Sequence, residues 1–375
     1  MLRLADPRFG DDAVQAIARV LASGHLTQGP VVAEFEAAVA AFCGAAHGIA
    51  TTSATTALEL ALAALDIGPG DEVIVADFTY PATGNVVLQR GARLRLADVD
   101  PATYCVDPAA VERLIGPRTR AVIAVDVFGL PADYATLEPL LDRHGIPLVC
   151  DAACSLGGAI GARRTGTFGR MACFSFHPRK SLTTGEGGMV VTDDGALADR
   201  LRRLRNHGTE RRDWRATFVE PGFNARMSDL NAALGLVQVP RHAGTVARRR
   251  ALAQRLGDRI AALPGVRPQA VPAGTLHPYQ AYVVVLDPIY DRDAAIRALR
   301  DRGVESTLGT YAMHGEPAFA RACGTRAGDL PASQALMERT LALPLHERMA
   351  EADVDRVASA LADVLPLVRR APARA

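Results

Sequence analysis

Lys180 is the only lysine among 42 basic residues; every other one is arginine. A codon bias that turns surface lysine into arginine wherever either serves accounts for the rest, and position 180 resisted it. Arginine reproduces a positive charge and more hydrogen bonds, but its guanidinium keeps its proton and forms no imine with an aldehyde. A primary amine is what lysine alone offers. The bland alternative is a surface lysine that has not yet drifted, and the residues around it weigh against that.

An amine that holds an aldehyde cofactor carrying a phosphate and a pyridine ring needs partners. It needs a carboxylate for the ring nitrogen, donors for the phosphate and a flat side chain for the ring. Residues 51–58, TTSATTAL, place small and hydroxyl side chains directly before a helical pattern. Backbone N–H groups are left free there, at the positive end of the helix dipole, although an ordinary Ser/Thr cap looks the same. Residues 77–81, DFTYP, put aromatics just beyond an apolar run, where ligands of parallel sheets bind, or else in the core. Asp151 follows the run 147–150 at the same kind of edge. A carboxylate there can keep a pyridine nitrogen protonated, so that the ring accepts electrons from a carbanion; a turn or helix-cap aspartate is the competing reading. Residues 174–180, FSFHPRK, run into TTGEGG at 183–188, whose glycines let the backbone approach a ligand. Ser175 can donate to a phosphate, while His177 reads equally as structural or catalytic.

These residues must be positioned by elements that the hydrophobic pattern outlines. Val14, Ile17, Ala18 and Leu21 follow Asp11-Asp12 at helical spacing, as do Val31, Phe35 and Val39 after Pro30. Short apolar runs at 73–75, 121–125 and 147–150 alternate with helical segments near 107–115 and 134–144, which predicts a parallel sheet covered on both faces. Two more strands are expected at 172–176 and 189–192, with Lys180 in the bend between them. From 228 the pattern changes to a long Arg-rich helical stretch through 263, a Pro/Gly break, a strand at 282–286, a helix at 292–302, a strand at 304–308, and helices near 333–341 and 351–364. The chain thus divides into a large domain, 1–227, and a smaller one, 228–375. The closing RRAPARA is expected to be disordered.

Composition narrows the function classes. The formal charge of +1 offers no field to hold nucleic acid or an anionic membrane. The opening MLRLADPRFGDD lacks the apolar run of a signal peptide, and no stretch approaches the roughly eighteen apolar residues of a membrane span. A soluble cytoplasmic protein is expected. The six cysteines are scattered without CxxC pairs, which predicts small buried hydrophobes and no metal site.

Several segments in order resemble the DegT/StrS-type aminotransferases: LTQGP at 26–30, GPGDEVIV at 68–75, DAA at 151–153, SFHP at 175–178 with Lys180, GEGG at 185–188, NARMSD at 224–229 and LPLH at 343–346. The resemblance covers nearly the whole chain. It implies an α/β protein of the aspartate-aminotransferase type (PLP fold type I), with a large doubly wound, mostly parallel domain and a small C-terminal α/β domain. It implies a pyridoxal 5'-phosphate (PLP) enzyme that moves an amino group from an amino acid, glutamate foremost, to a keto group of a nucleotide-linked sugar. Lys180 is similar to the family's Schiff-base lysine, Asp151 to its pyridine-nitrogen partner and Ser175 to a phosphate ligand. Ala54 and Thr55 fall on the phosphate-binding helix start, and Tyr80 on the aromatic over the ring. Asn224 matches a residue that reaches the phosphate of the neighbouring subunit, implying a homodimer with shared sites; Arg226 beside it would help hold an anionic donor or cofactor.

The chain departs from the pattern at four places. Cys154 stands where the family often has glutamine against the cofactor's phenolic oxygen, and a thiol is a weaker hydrogen-bonding partner. Ser181 replaces an asparagine, Ala54 a glycine, and Gln280 a histidine towards the substrate mouth. Three alternatives stay open: an aminotransferase of a keto-cyclitol or another natural-product carbonyl, a deoxysugar dehydratase, and a non-catalytic PLP-binding regulatory protein. The dehydratases carry histidine in place of the lysine, and no helix-turn-helix or basic patch supports the regulatory reading.

Overall fold

The apolar runs between turns form one central sheet. In the computed structural model, which describes residues 1–370, its strands are β1 (His47–Thr51), β2 (Glu72–Ala76), β3 (Arg93–Ala97), β4 (Thr119–Val125), β5 (Leu148–Asp151), β6 (Met171–Ser175) and β7 (Gly188–Thr192). They lie in the order β1-β7-β6-β5-β4-β2-β3. From β6 to β3 every pairing is parallel, and β7 alone runs against its neighbours. β2, β5 and β7 are buried along their whole length, which is why they read as continuous apolar runs rather than alternating ones. All five expected strands are present. β1 and β3, at the edges, were not anticipated: β1 is a short HGIAT, and β3 alternates Arg93, Leu94, Arg95, Leu96 with its arginines paired to Glu72.

Helices α1 (Asp11–Ser23) and α2 (Pro30–Cys43) start where their signals stand, at Asp11-Asp12 and at Pro30. α3 (Ala54–Ala64) lies against the sheet with seven of its eleven residues buried, and α4 (Ala82–Gln89) follows the loop after β2. Close packing of α3 depends on Gly188. A Cβ there would come within 2.3 Å of the Ser53 carbonyl and 2.6 Å of the Ala54 nitrogen, so only glycine lets β7 run beside the start of α3.

The Arg-rich stretch after 228 is two helices. Asp229–Leu236 packs on α1 and α2, and Val239–Ile260 continues after a step at Val237-Gln238. A second sheet, entirely antiparallel, joins Val266–Pro268, Tyr282–Leu286, Thr340–Leu343 and Thr307–Leu308, with helices Arg292–Asp301 and Glu351–Val364 contributing to its own hydrophobic cluster. Two expectations are corrected here. The helix expected at 333–341 ends at Arg339, because residues from Thr340 pair with the central strand Tyr282–Leu286. The strand expected at 304–308 is only Thr307–Leu308, since Val304 bridges Leu2 instead. Arg369 bridges Tyr290, so the tail is ordered that far, and residues 371–375, expected to be disordered, lie outside the described residues. Among the described residues no helix is long and apolar enough to cross a membrane.

Candidate functional site

The carboxyl ends of the parallel strands share one edge of the sheet, and the chemistry-bearing residues collect there. Tyr80 follows β2, Asp126 follows β4, Asp151 closes β5 and Ser175 closes β6. β1 ends at the same edge and delivers the start of α3. Together with the turn after β6 they line a cavity of about 750 Å³ that includes Ser53, Ala54, Thr55, Tyr80, Asp151, Cys154, Ser175 and Lys180. Ala54 and Lys180, 126 positions apart in sequence, are brought to one space. The far wall comes from the C-terminal part of the chain, with Gln280, Thr310 and Leu343.

Asp151 is 6% exposed and accepts from Thr83 Oγ1 at 2.7 Å and from the Ala153 N–H at 3.2 Å. Burial raises the pKa of its carboxyl above the ordinary aspartate value; the two donors and the charge of Lys180 oppose that without cancelling it. Asp126, one strand over, is buried too and held by Ser155 Oγ at 2.5 Å, Tyr134 Oη at 2.6 Å and the Ala132 N–H at 2.9 Å. Burial pushes it up to about 7 against those three donors. Thr83 and Asp126 both line the cavity and were not among the predicted site residues. Thr83 lies three residues past Tyr80 on α4, but its partner is 68 residues away, and only the fold makes it legible.

Lys180 sits in a turn closed by its own N–H on the His177 carbonyl at 2.8 Å. Gln280, about a hundred residues further along, clasps that turn, accepting from the Ser181 N–H at 3.0 Å and donating to the Arg179 carbonyl at 2.5 Å. Two of the departures from the family pattern, Ser181 and Gln280, thus meet each other. The amine of Lys180 lies 3.0 Å from the sulfur of Cys154. His177 accepts from the Arg179 N–H through Nδ1 at 3.2 Å, and its Nε2 stands 3.9 Å from Glu186. Those contacts give it a place in the turn's architecture.

At the start of α3, Ser53 caps the helix, its Oγ accepting from the Thr56 N–H at 3.1 Å. The preceding first-turn amides, of Ala54 and Thr55, have no acceptor inside the helix, and both residues line the cavity. Tyr80 lines the cavity yet is 68% exposed. Asn224 and Arg226 are not among the cavity's lining residues. Asn224 is exposed, bridging Asn206 through the backbone, and Arg226 donates to the Asn206 side chain at 2.5 Å. Cys43, Cys105, Cys150 and Cys173 are buried; Cys154 and Cys323 are partly exposed. Among the described residues no cluster of three or more His, Cys, Asp or Glu side chains could hold a metal ion.

The profile of the DegT/DnrJ/EryC1/StrS aminotransferase family matches residues 7–362. A spore coat polysaccharide biosynthesis protein of Bacillus subtilis, SpsC, is 36% identical over 372 residues, 96% of each chain. The aminotransferase TlmJ of Streptoalloteichus hindustanus is 34% identical, with a TM-score of 0.92 over 98% of this chain and 99% of its own. A putative sugar aminotransferase of Streptococcus pneumoniae, Spr1654, has been solved in a PLP-form and a PMP-form; the PLP-form is 26% identical, with a TM-score of 0.93 over 98% of this chain and 99% of its own.

Proposed function

Because this chain belongs to the DegT/DnrJ/EryC1/StrS aminotransferase family, and is a PLP-dependent transaminase of fold type I, we propose that it transfers the amino group of an amino acid, glutamate foremost, to a keto group on a nucleotide-linked sugar. The observation that supports this best is the convergence of the Lys180 amine, the buried Asp151 carboxylate and a free helix start in a single cavity. Names of similar proteins point to sugars: a polysaccharide biosynthesis protein and a putative sugar aminotransferase.

The residues fit PLP by their chemistry. A carboxylate as buried as Asp151, raised by that burial, is best satisfied by a cation, and a protonated pyridine nitrogen is one. When bound, PLP supplies the aldehyde that exchanges amino groups and the ring that takes up the electrons. Lys180 would hold the cofactor through Nζ, and that amine, once free, would take up and return the proton at Nζ. Asp151 would keep the ring nitrogen protonated, and Thr83, which donates to it, would fix its carboxylate. Ser175 and the Ala54 and Thr55 amides would hold the phosphate, Tyr80 would pack on the ring, and Cys154 would be the partner of its phenolic oxygen. Asn224, exposed in the single chain, reaches the site of a second copy in a homodimer, with Arg226 beside it.

A panel of nucleotide ketosugars and cyclitol ketones, with glutamate and glutamine compared as donors and products read by mass spectrometry, tests the acceptor. Amination of a nucleotide ketosugar is the expected result. Turnover of cyclitol ketones alone would overturn the sugar assignment and leave the transaminase intact.

A further inference from the structure

Cys154 and Lys180 come from different loops, one after β5 and one after β6, 26 residues apart in sequence, and meet inside the cavity with Nζ 3.0 Å from Sγ. The hydrogen-bond partner that the structure gives this thiol is an amine, not a backbone carbonyl. Cys150 is different: it is buried and directed at the Phe168 carbonyl at 3.3 Å. Cys173 is buried as well. Cys154 and Lys180 are each partly exposed and line the cavity, so a small neutral oxidant that enters the cavity reaches the sulfur. Susceptibility of a thiol to oxidation follows its thiolate character and its exposure, and the product of the first step, a sulfenic acid, condenses with a thiol or with a backbone nitrogen; the nitrogen that stands 3.0 Å from this sulfur is the Lys180 amine.

We propose that hydrogen peroxide closes a reversible S–N bond between Cys154 and Lys180. In the first step the thiol attacks one peroxide oxygen, the O–O bond breaks, and sulfenic acid and one water result. In the second, the lysine nitrogen, as free amine, attacks sulfur through its lone pair. The S–O bond breaks, and the leaving hydroxide takes a proton from nitrogen as the second water. One thiol, one amine and one peroxide therefore give one S–NH linkage and two waters. Sulfur loses two electrons and the peroxide gains them. Two equivalents of an added thiol reverse it, restoring the cysteine and the amine and leaving as a disulfide.

The consequence rests on the reading of Lys180 as the cofactor's amine. A locked amine cannot hold PLP, and an amine already engaged by PLP cannot attack sulfur. Oxidation and cofactor loading then exclude each other at one nitrogen. The sequence makes the link easy to see: with a single lysine in the chain, any lysine cross-link is at 180, and cleavage after arginine places Cys154 in residues 144–163 and Lys180 in 180–200.

The test treats reduced, full-length protein with hydrogen peroxide, with PLP bound and after PLP has been removed, and reads intact mass and arginine-cleaved peptides. Without PLP, the expected result is a mass lower by two hydrogens and a joined 144–163/180–200 peptide, both reversed by dithiothreitol. The joined peptide should be missing from Cys154→Ser and from Lys180→Arg, and from protein that holds PLP. Oxygen added to Cys154 with Lys180 unlinked, or a disulfide from Cys154 to another cysteine, would overturn the proposal. If the link forms but locked protein still takes up PLP, the chemistry stands and the assignment of Lys180 as the cofactor's amine falls.

Discussion

At the scale of single residues, the amine was legible because it is chemically alone: a chain that replaces lysine by arginine at every other position keeps one where an arginine cannot substitute. Asp151 was legible by its place at the end of an apolar run. What holds it was not. Thr83 and the Ala153 N–H reach its two oxygens only once α4 is laid beside the end of β5. Asp151→Asn keeps nearly the same shape and the same donors while removing the charge, so folding should survive. Loss of the charge that keeps the ring nitrogen protonated should raise the proton-transfer barrier on the order of several kcal/mol, where each 1.36 kcal/mol is about tenfold in rate. Single-turnover kinetics on purified variant checks this. Should Asp151→Asn bind PLP and turn over within about threefold of wild type, the ring-nitrogen role moves to another acid, and Asp126 is the next to examine.

Elements were legible where burial on both faces left an unbroken apolar run, and less so where pairing partners decide the state. Residues 340–343 carry on from a helical pattern, yet they are a strand because Tyr282–Leu286 offers them a ladder. The edge strand β1 is too short for a period to show, whereas β3 alternates arginine and leucine, the period-two pattern of a half-buried strand, and that signal went unread. The long helix Val239–Ile260 was visible in outline, but not what ties it to the sheet. His242, on its first turns, is 1% exposed and bonded to the Leu156 carbonyl at 3.2 Å in the loop after β5. Burial holds this imidazole down to about 4, below its ordinary 6.5, with its hydrogen bond opposing. A histidine buried neutral contributes stability that is fully present above its unfolded pKa and is lost as pH falls through the window from about 6.5 to about 4. Over that window its share amounts to on the order of 3 kcal/mol. His277, held down to about 3 mainly by burial, acts in the same direction. Denaturant midpoints followed from neutral to acid pH should therefore fall less steeply in His242→Gln than in wild type, while equal slopes would show that the imidazole is not buried neutral.

At the scale of the whole molecule, the cavity is closed on one side by the C-terminal part of the chain, whose Gln280 clasps the lysine turn, and Asn224 stays exposed outside the single chain's cavity. Shared sites in a homodimer would explain why a residue in the family-like NARMSD segment faces solvent. If they are shared, mixing inactive Lys180→Ala with inactive Asn224→Ala should give mixed dimers with one site damaged twice and one intact, and activity should return; none returning after proven subunit exchange would contradict sharing. The central claim, that one amine in the chain holds PLP for transamination, is tested most directly by borohydride reduction of the PLP-loaded protein followed by digestion and mass spectrometry. The account predicts reduced cofactor on the peptide that contains Lys180, one per chain, and none in Lys180→Ala. Cofactor found on the N-terminal amine, or retained without any covalent trace at Lys180, would contradict it.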